Sequence, residues 1–172
     1  MMEPDTKDWT WVISQRCPEC GFDGSAVSHT DVAGRIRADA AEWPQRLSAP
    51  KARSRPRPGV WSALEYGCHV RDVHRKFNER VAMMLDVDEP RFPNWDQDAT
   101  AIEDDYGSQD PAVVTSELVD AAGAVADIYD HVPSDAWSRR GLRSNGSEFT
   151  IATIAVYHLH DIVHHAHDVD HG

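Results

Sequence analysis

The chain has 172 residues, of which 41% are hydrophobic and 27% charged, a balance typical of one globular domain with its own core. Its formal net charge of −12, from 29 acidic and 17 basic residues, argues against binding to nucleic acid. No apolar run reaches the length of a membrane span, and the first residues lack the pattern of a signal peptide. We therefore expect a cytoplasmic protein without a membrane partner.

The first feature along the chain is the sequence Cys-Pro-Glu-Cys-Gly, in which Cys17 and Cys20 resemble one half of a zinc knuckle. A second cysteine pair is absent, and the third cysteine, Cys68, falls inside a predicted helix. Three interpretations follow: an unmetallated turn with two reduced thiols, a local disulfide or redox pair, and a metal site. We assign residues 1–27 to an N-terminal extension that carries this turn, and residues 28–172 to a single helical domain.

Four amphipathic helices are predicted within residues 28–172. Ser62 and Glu65 form a capping box at the start of the second helix, and Asp110 followed by Pro111 is a typical start for the third. The expected bounds are about 28–43 (ending at Pro44), 61–85, 110–132 and 149 towards the C-terminus. Four such helices with long connections predict an all-α four-helix bundle.

Histidines provide the strongest functional signal in the sequence. His160 and His164 lie four residues apart on the last helix, so their side chains leave the same face of that helix. His69, on the second helix, would complete a three-nitrogen metal site with coordination positions left open for water or substrate. That is the arrangement of a catalytic metal. The alternative is loose chelation by the histidine-rich C-terminal tract.

Other residues are candidates for supporting roles around such a site. Asp72 or Asp161 can accept a hydrogen bond from the free ring N–H of a metal-bound histidine, although Asp72 can equally form a surface salt bridge. Arg139, Arg143 and Tyr157 are candidates for substrate contact. No catalytic residue is assigned from the sequence.

The run from Trp61 to Asp72, W-S-A-L-E-Y-G-C-H-V-R-D, followed far downstream by H-L-H-D-I-V-H-H, resembles the DinB-like superfamily. That group includes metal-dependent mycothiol and bacillithiol transferases, and the resemblance covers about residues 28–170. It implies a four-helix bundle with crossover connections in an up-down-down-up topology. It also implies a zinc or nickel ion on His69, His160 and His164, and mycothiol as a thiol co-substrate.

Three functions remain open from the sequence. The first is a metal-dependent transferase that joins a low-molecular-weight thiol, such as mycothiol, to a small-molecule substrate. The second is a metal-dependent hydrolase that uses water at the same open position. The third is a non-catalytic metal-binding or stress-related protein whose acidic connection, residues 86–110, contacts a partner. A homodimer is compatible with each of them.

Overall fold

A computed structural model describes residues 8–172, so the N-terminal residues from which the absence of a signal peptide is inferred lie outside the described residues. The helices are α1 (Val32–Ser48), α2 (Ala63–Asp86), α3 (Gln97–Glu103), α4 (Pro111–Asp130) and α5 (Ile151–His171). The strands are β1 (Arg91–Phe92), β2 (Arg140–Arg143) and β3 (Glu148–Thr150). Among these residues no helix is both long enough and apolar enough to cross a membrane.

The four long helices form the predicted bundle, and consecutive helices do not all pack side by side. Helix α4 lies against both α1 and α2, and α5 also packs on both, whereas α1 and α2 touch each other little. The order around the bundle is therefore α1, α4, α2, α5. The two diagonal steps, from α1 to α2 and from α4 to α5, are made by the long connections before α2 and before α5.

Local signals fix where α2 and α4 begin. The Ser62 side chain accepts a hydrogen bond from the Glu65 backbone N–H, and the Glu65 carboxylate accepts one from the Ser62 N–H at 2.8 Å. The rings of Trp61 and Tyr66 meet edge to face across this cap at 5.5 Å. Asp110 accepts hydrogen bonds from two backbone N–H groups in the first turn of α4. These contacts confirm the predicted capping box and set which face of α2 meets the core.

The predicted end of the first helix at Pro44 is wrong, because α1 continues to Ser48. Proline inside a helix removes a backbone donor and costs about 3 kcal/mol. However, Trp43 and Leu47 are both buried in the bundle core. Burial of each large apolar side chain contributes about 1.5–3 kcal/mol. Packing of the last turn therefore outweighs the penalty of the proline.

Two elements in the connections were not predicted: helix α3, inside the acidic segment, and a three-stranded sheet. Strand β1 pairs parallel with β2, and β2 pairs antiparallel with β3, which leads directly into α5. Gly141 in β2 is tightly surrounded, since a Cβ atom there would lie 2.4 Å from Phe92 Cζ and 3.0 Å from Met84 Cγ. The sheet thereby ties the connection after α2 to the start of α5.

A short chain of polar groups lies inside the apolar core. His74 Nδ1 is 3.1 Å from His158 Nε2, and His158 Nδ1 is 3.2 Å from the Tyr129 hydroxyl. Burial lowers the pKa of His74 to about 3, and burial together with the neighbouring His74 lowers the pKa of His158. Burial also raises the pKa of Tyr129. Three neutral groups therefore link α2, α5 and α4.

Candidate metal centres

The first centre joins His69 of α2 to Asp161 and His165 of α5. One potential ligand atom from each residue lies within 4.8 Å of the others. The rings of His69 and His165 meet edge to face with centroids 4.7 Å apart, and Asp161 Oδ1 lies 3.0 Å from His165 Nε2. Trp95 stacks nearly parallel to His69 at 5.6 Å, and Trp61 approaches it at 5.3 Å. Aromatic rings therefore wall this centre on the His69 side.

The charge states within this first centre differ from residue to residue. His69 is fully buried, and burial together with the nearby His165 lowers its pKa to about 3, so its imidazole is neutral. Burial opposes protonation of His165 as well, but hydrogen bonds to Asp161 and Asp168 raise its pKa to about 9. Burial acts to raise the pKa of Asp161, yet the hydrogen bond from His165 holds it well below its usual range. The first centre therefore places the neutral imidazole of His69 beside the ion pair formed by His165 and Asp161.

The second centre joins Cys17 and Cys20 of the N-terminal segment to His160 and His164 of α5. One ligand atom from each of these four residues lies within 4.8 Å of the others. His164 Nδ1 lies 3.8 Å from Cys17 Sγ, and the ring of Trp9 packs on both histidines. The N-terminal extension therefore folds against α5 through this cluster.

The predicted set of His69, His160 and His164 is divided between the two centres. Among the residues that the structure describes, no group of potential ligand atoms within 4.8 Å joins His69 to either of the others. Successive residues on a helix are rotated by roughly 100°, so Asp161 and His165 form a stripe beside that of His160 and His164. The first stripe faces α2, and the second faces the N-terminal segment. Both pairs have the same four-residue spacing, so the spacing cannot tell which one meets His69.

A cavity of about 590 Å³ lies beside the two centres, and ligand residues from both of them line it. Arg143 and Tyr157 also line this cavity, so two of the three predicted substrate contacts are placed here. The wall further includes the aromatic side chains Trp9, Trp61, Tyr66 and Trp95 and the acidic side chains Asp8, Glu19, Asp96, Asp98 and Asp168. A larger cavity of about 850 Å³ shares Trp61 and Asp168 with it but is lined by no ligand residue of either centre.

Two other predicted residues have different contacts. Arg139 is not among the residues that line the smaller cavity, and its Nε donates a hydrogen bond to the Met84 carbonyl at 2.5 Å. Asp72 accepts hydrogen bonds from Arg71 at 2.9 Å and from the Tyr106 hydroxyl at 2.6 Å. Burial acts to raise the pKa of Asp72, but these two donors lower it. Within the described residues, neither Arg139 nor Asp72 has a hydrogen bond to a ligand of the two centres.

Comparison with known proteins agrees with this architecture. The chain is similar to a solved structure described as "YfiT from Bacillus subtilis is a probable metal-dependent hydrolase with an unusual four-helix bundle topology", with a TM-score of 0.70 and 17% identity over 83% of this chain and 82% of that chain. At that identity the likeness shows the fold alone. No curated protein matches the chain. The family model of the DinB superfamily matches residues 34–169, from α1 to near the end of α5, and the chain therefore belongs to the DinB superfamily.

Proposed function

We propose that this protein is a metal-dependent hydrolase of a small molecule, with a divalent ion held by His69, Asp161 and His165. The observation that carries the proposal is the buried His69 ring, whose two nitrogens both lack a hydrogen-bond partner within the described residues. A buried polar group without a partner costs about 1–3 kcal/mol. A metal bound to one of these nitrogens would remove much of that cost.

The donor set fits a catalytic rather than a structural ion. Two imidazoles and one carboxylate are the ligands of several catalytic zinc sites, which keep a further position open. Glu65, one turn before His69, would be a natural fourth ligand, but it is already engaged. Its carboxylate accepts a hydrogen bond from Ser62 and forms an ion pair with Arg55. These contacts support a centre with three protein ligands beside the cavity.

A divalent ion in this position would supply Lewis-acid chemistry and would lower the pKa of a coordinated nucleophile. The protein's own residues orient the ligands and limit the access of water. Asp168 Oδ2 lies 3.4 Å from His165 Nδ1, so it can accept the N–H of that nitrogen, while Nε2 would give up the proton that it shares with Asp161 and become free to hold the ion. The rings of Trp61 and Trp95, which pack against His69 and line the cavity, limit the access of bulk water to His69.

The wall of the cavity supports a neutral or cationic substrate. Carboxylates are numerous along this wall, and among the described residues Arg143 is the one arginine that lines it. A polyanionic substrate would therefore meet repulsion on most sides. Arg143 and Tyr157 both line the cavity, so their side chains offer donors for one carbonyl or hydroxyl oxygen of the substrate. The aromatic side chains of the wall would pack against its apolar part.

Transfer of a low-molecular-weight thiol, with mycothiol as the first choice, is the second candidate function. The cavity of about 590 Å³ is within the range of small-molecule sites, roughly 300–1,000 Å³. A thiol and an electrophile could both enter this space. A thiol sulfur at the open position would be deprotonated and would remain a nucleophile.

Elemental analysis of the untagged protein tests the metal site first, and it also identifies the metal as zinc, nickel or another ion. We expect His69→Ala to lose the ion of this centre and His171→Ala, at the exposed end of α5, to keep it. Retention of all bound metal in His69→Ala would contradict the site.

Activity assays then separate the functions. Wild type and His69→Ala are compared on a panel of esters and amides and on mycothiol with a panel of electrophiles. Hydrolysis that depends on His69 supports the proposal, and thiol consumption that depends on His69 supports the second candidate. Metal bound through His69 without turnover on either panel would instead indicate a non-catalytic metal-binding protein.

A further inference from the structure

We propose that Cys17, Cys20, His160 and His164 form a closed, structural zinc site that fastens the N-terminal segment to α5. This site is separate from the centre at His69, and it does not depend on the function proposed there. Two thiolates and two imidazoles are a complete set of ligands for tetrahedral zinc. Because four protein ligands leave no position for water or substrate, the expected role is structural.

The backbone of the cysteine turn has the form of a metal-binding knuckle. The Cys17 N–H donates to the Phe22 carbonyl at 2.7 Å, and the Gly21 N–H donates to the Cys17 carbonyl at 2.9 Å. Gly21 has a φ of +76°, which glycine adopts without strain. The two backbone hydrogen bonds therefore close a tight turn that carries both cysteines.

Helix α5 supplies the other half of the site. His160 is only 4% exposed, and its Nε2 is buried without a hydrogen-bond partner within the described residues. The distance of 3.8 Å between His164 Nδ1 and Cys17 Sγ is close to the roughly 3.6 Å between nitrogen and sulfur ligands of tetrahedral zinc. The other nitrogen of His164 faces Glu19, with Nε2 3.4 Å from Oε2. A carboxylate in this position would fix the tautomer that presents Nδ1 to the ion.

A disulfide or redox role for the cysteines explains less of this arrangement. Cys17 is fully buried, and both cysteines are free thiols. A Cys17–Cys20 disulfide would consume both sulfurs and leave the buried His160 Nε2 without a partner. An unmetallated turn would leave it unpartnered as well. Zinc satisfies that nitrogen and all three other donors together.

The test uses the full-length protein and cobalt as a spectroscopic substitute for zinc. Replacement of zinc by cobalt should give the sulfur-to-cobalt charge-transfer absorption and the strong visible bands of a tetrahedral thiolate site. Cys17→Ser and Cys20→Ser should lose this spectrum and one bound ion. Cys68→Ala is the matched control, because the third cysteine lies in α2 outside both centres, and it should keep the spectrum.

Comparison with His69→Ala makes the two centres distinguishable. That variant should keep the thiolate spectrum while it loses the other ion, whereas Cys17→Ser should show the reverse pattern. X-ray absorption on the zinc-loaded wild type needs no variant, and it should show sulfur neighbours at about 2.3 Å. Zinc without sulfur neighbours, or a Cys17–Cys20 disulfide in protein purified under reducing conditions, would overturn the proposal. So would a cobalt spectrum that survives loss of both cysteines.

Discussion

The buried pair of His74 and His158 should make the stability of the fold sensitive to mild acid. Burial lowers the pKa of His74 from its ordinary value of 6.5 to about 3. The unfolded chain therefore binds a proton at His74 below about pH 6.5, while the folded protein does not. A depressed pKa in the folded state gives stability that is fully present above the unfolded pKa and that is lost as the pH falls towards the folded value.

The expected loss of stability follows from how far the pH falls below 6.5, the pKa of His74 in the unfolded chain. Each histidine that stays neutral in the folded state reduces the free energy of unfolding by about 1.4 kcal/mol for every pH unit below 6.5. Between pH 8 and pH 5 the loss attributable to His74 is about 2 kcal/mol. His74→Asn should remove this loss, because asparagine does not titrate and its amide can still bond to His158 from nearly the position of Nδ1.

The effect of His74 on stability is measured by urea unfolding of wild type and His74→Asn at a series of pH values. A chelator is present to remove bound metal. Between pH 8 and pH 5, the free energy of unfolding of His74→Asn should fall by about 2 kcal/mol less than that of wild type. His131→Gln is the control, since His131 is exposed at the end of α4 and should behave as wild type. Equal pH dependence of wild type and His74→Asn would refute the assignment of a neutral histidine inside the core.

Three further substitutions test the packing by urea unfolding at neutral pH. Gly141→Ala should destabilise the fold by about 1–3 kcal/mol, because the new methyl group would overlap Phe92. Gly123→Ala should stabilise it by about 0.5–1 kcal/mol, since a Cβ atom there meets nothing within 4 Å and alanine favours the helix. Tyr106→Phe should cost about 1.5–3 kcal/mol, because it removes the hydrogen bond to the Asp72 carboxylate. An unchanged stability in Gly141→Ala or Tyr106→Phe would contradict the contact on which its prediction rests.

Helix starts were predictable from the sequence because they depend on neighbouring residues. Ser62 with Glu65, and Asp110 with Pro111, act within one turn, and the structure has both starts as expected. The end of α1 was not predictable in this way. It depends on the burial of Trp43 and Leu47 against other helices, which a local rule about proline does not contain. The pairing of β1 with β2 likewise joins segments about fifty residues apart.

The two candidate metal centres also depend on contacts between distant segments, which the sequence does not reveal. The sequence drew attention to histidines on α2 and α5, but which of them lie beside His69 depends on the rotation of α5 about its axis. A rotation of one residue exchanges the pair His160 and His164 for the pair Asp161 and His165. The structure places the second pair beside His69 and the first beside the cysteine turn. Cys17 and Cys20 were visible in the sequence as a half-site, but the two histidines that lie beside them in the fold were not.

The N-terminal segment, with its pair of cysteines, lies outside the part of the chain that the superfamily model matches. The family match begins at residue 34, so both cysteines lie outside it. Trp9 and Glu19, from the same segment, line the cavity beside the centre at His69. The closed site would hold these side chains in place, and at the same time it would fix the rotation of α5 that directs His165 towards α2. Since the rings of His164 and His165 are only 6.0 Å apart, the two centres share one stretch of helix. In the proposed hydrolase, substrate selection should therefore depend on residues before α1 as well as on the bundle itself.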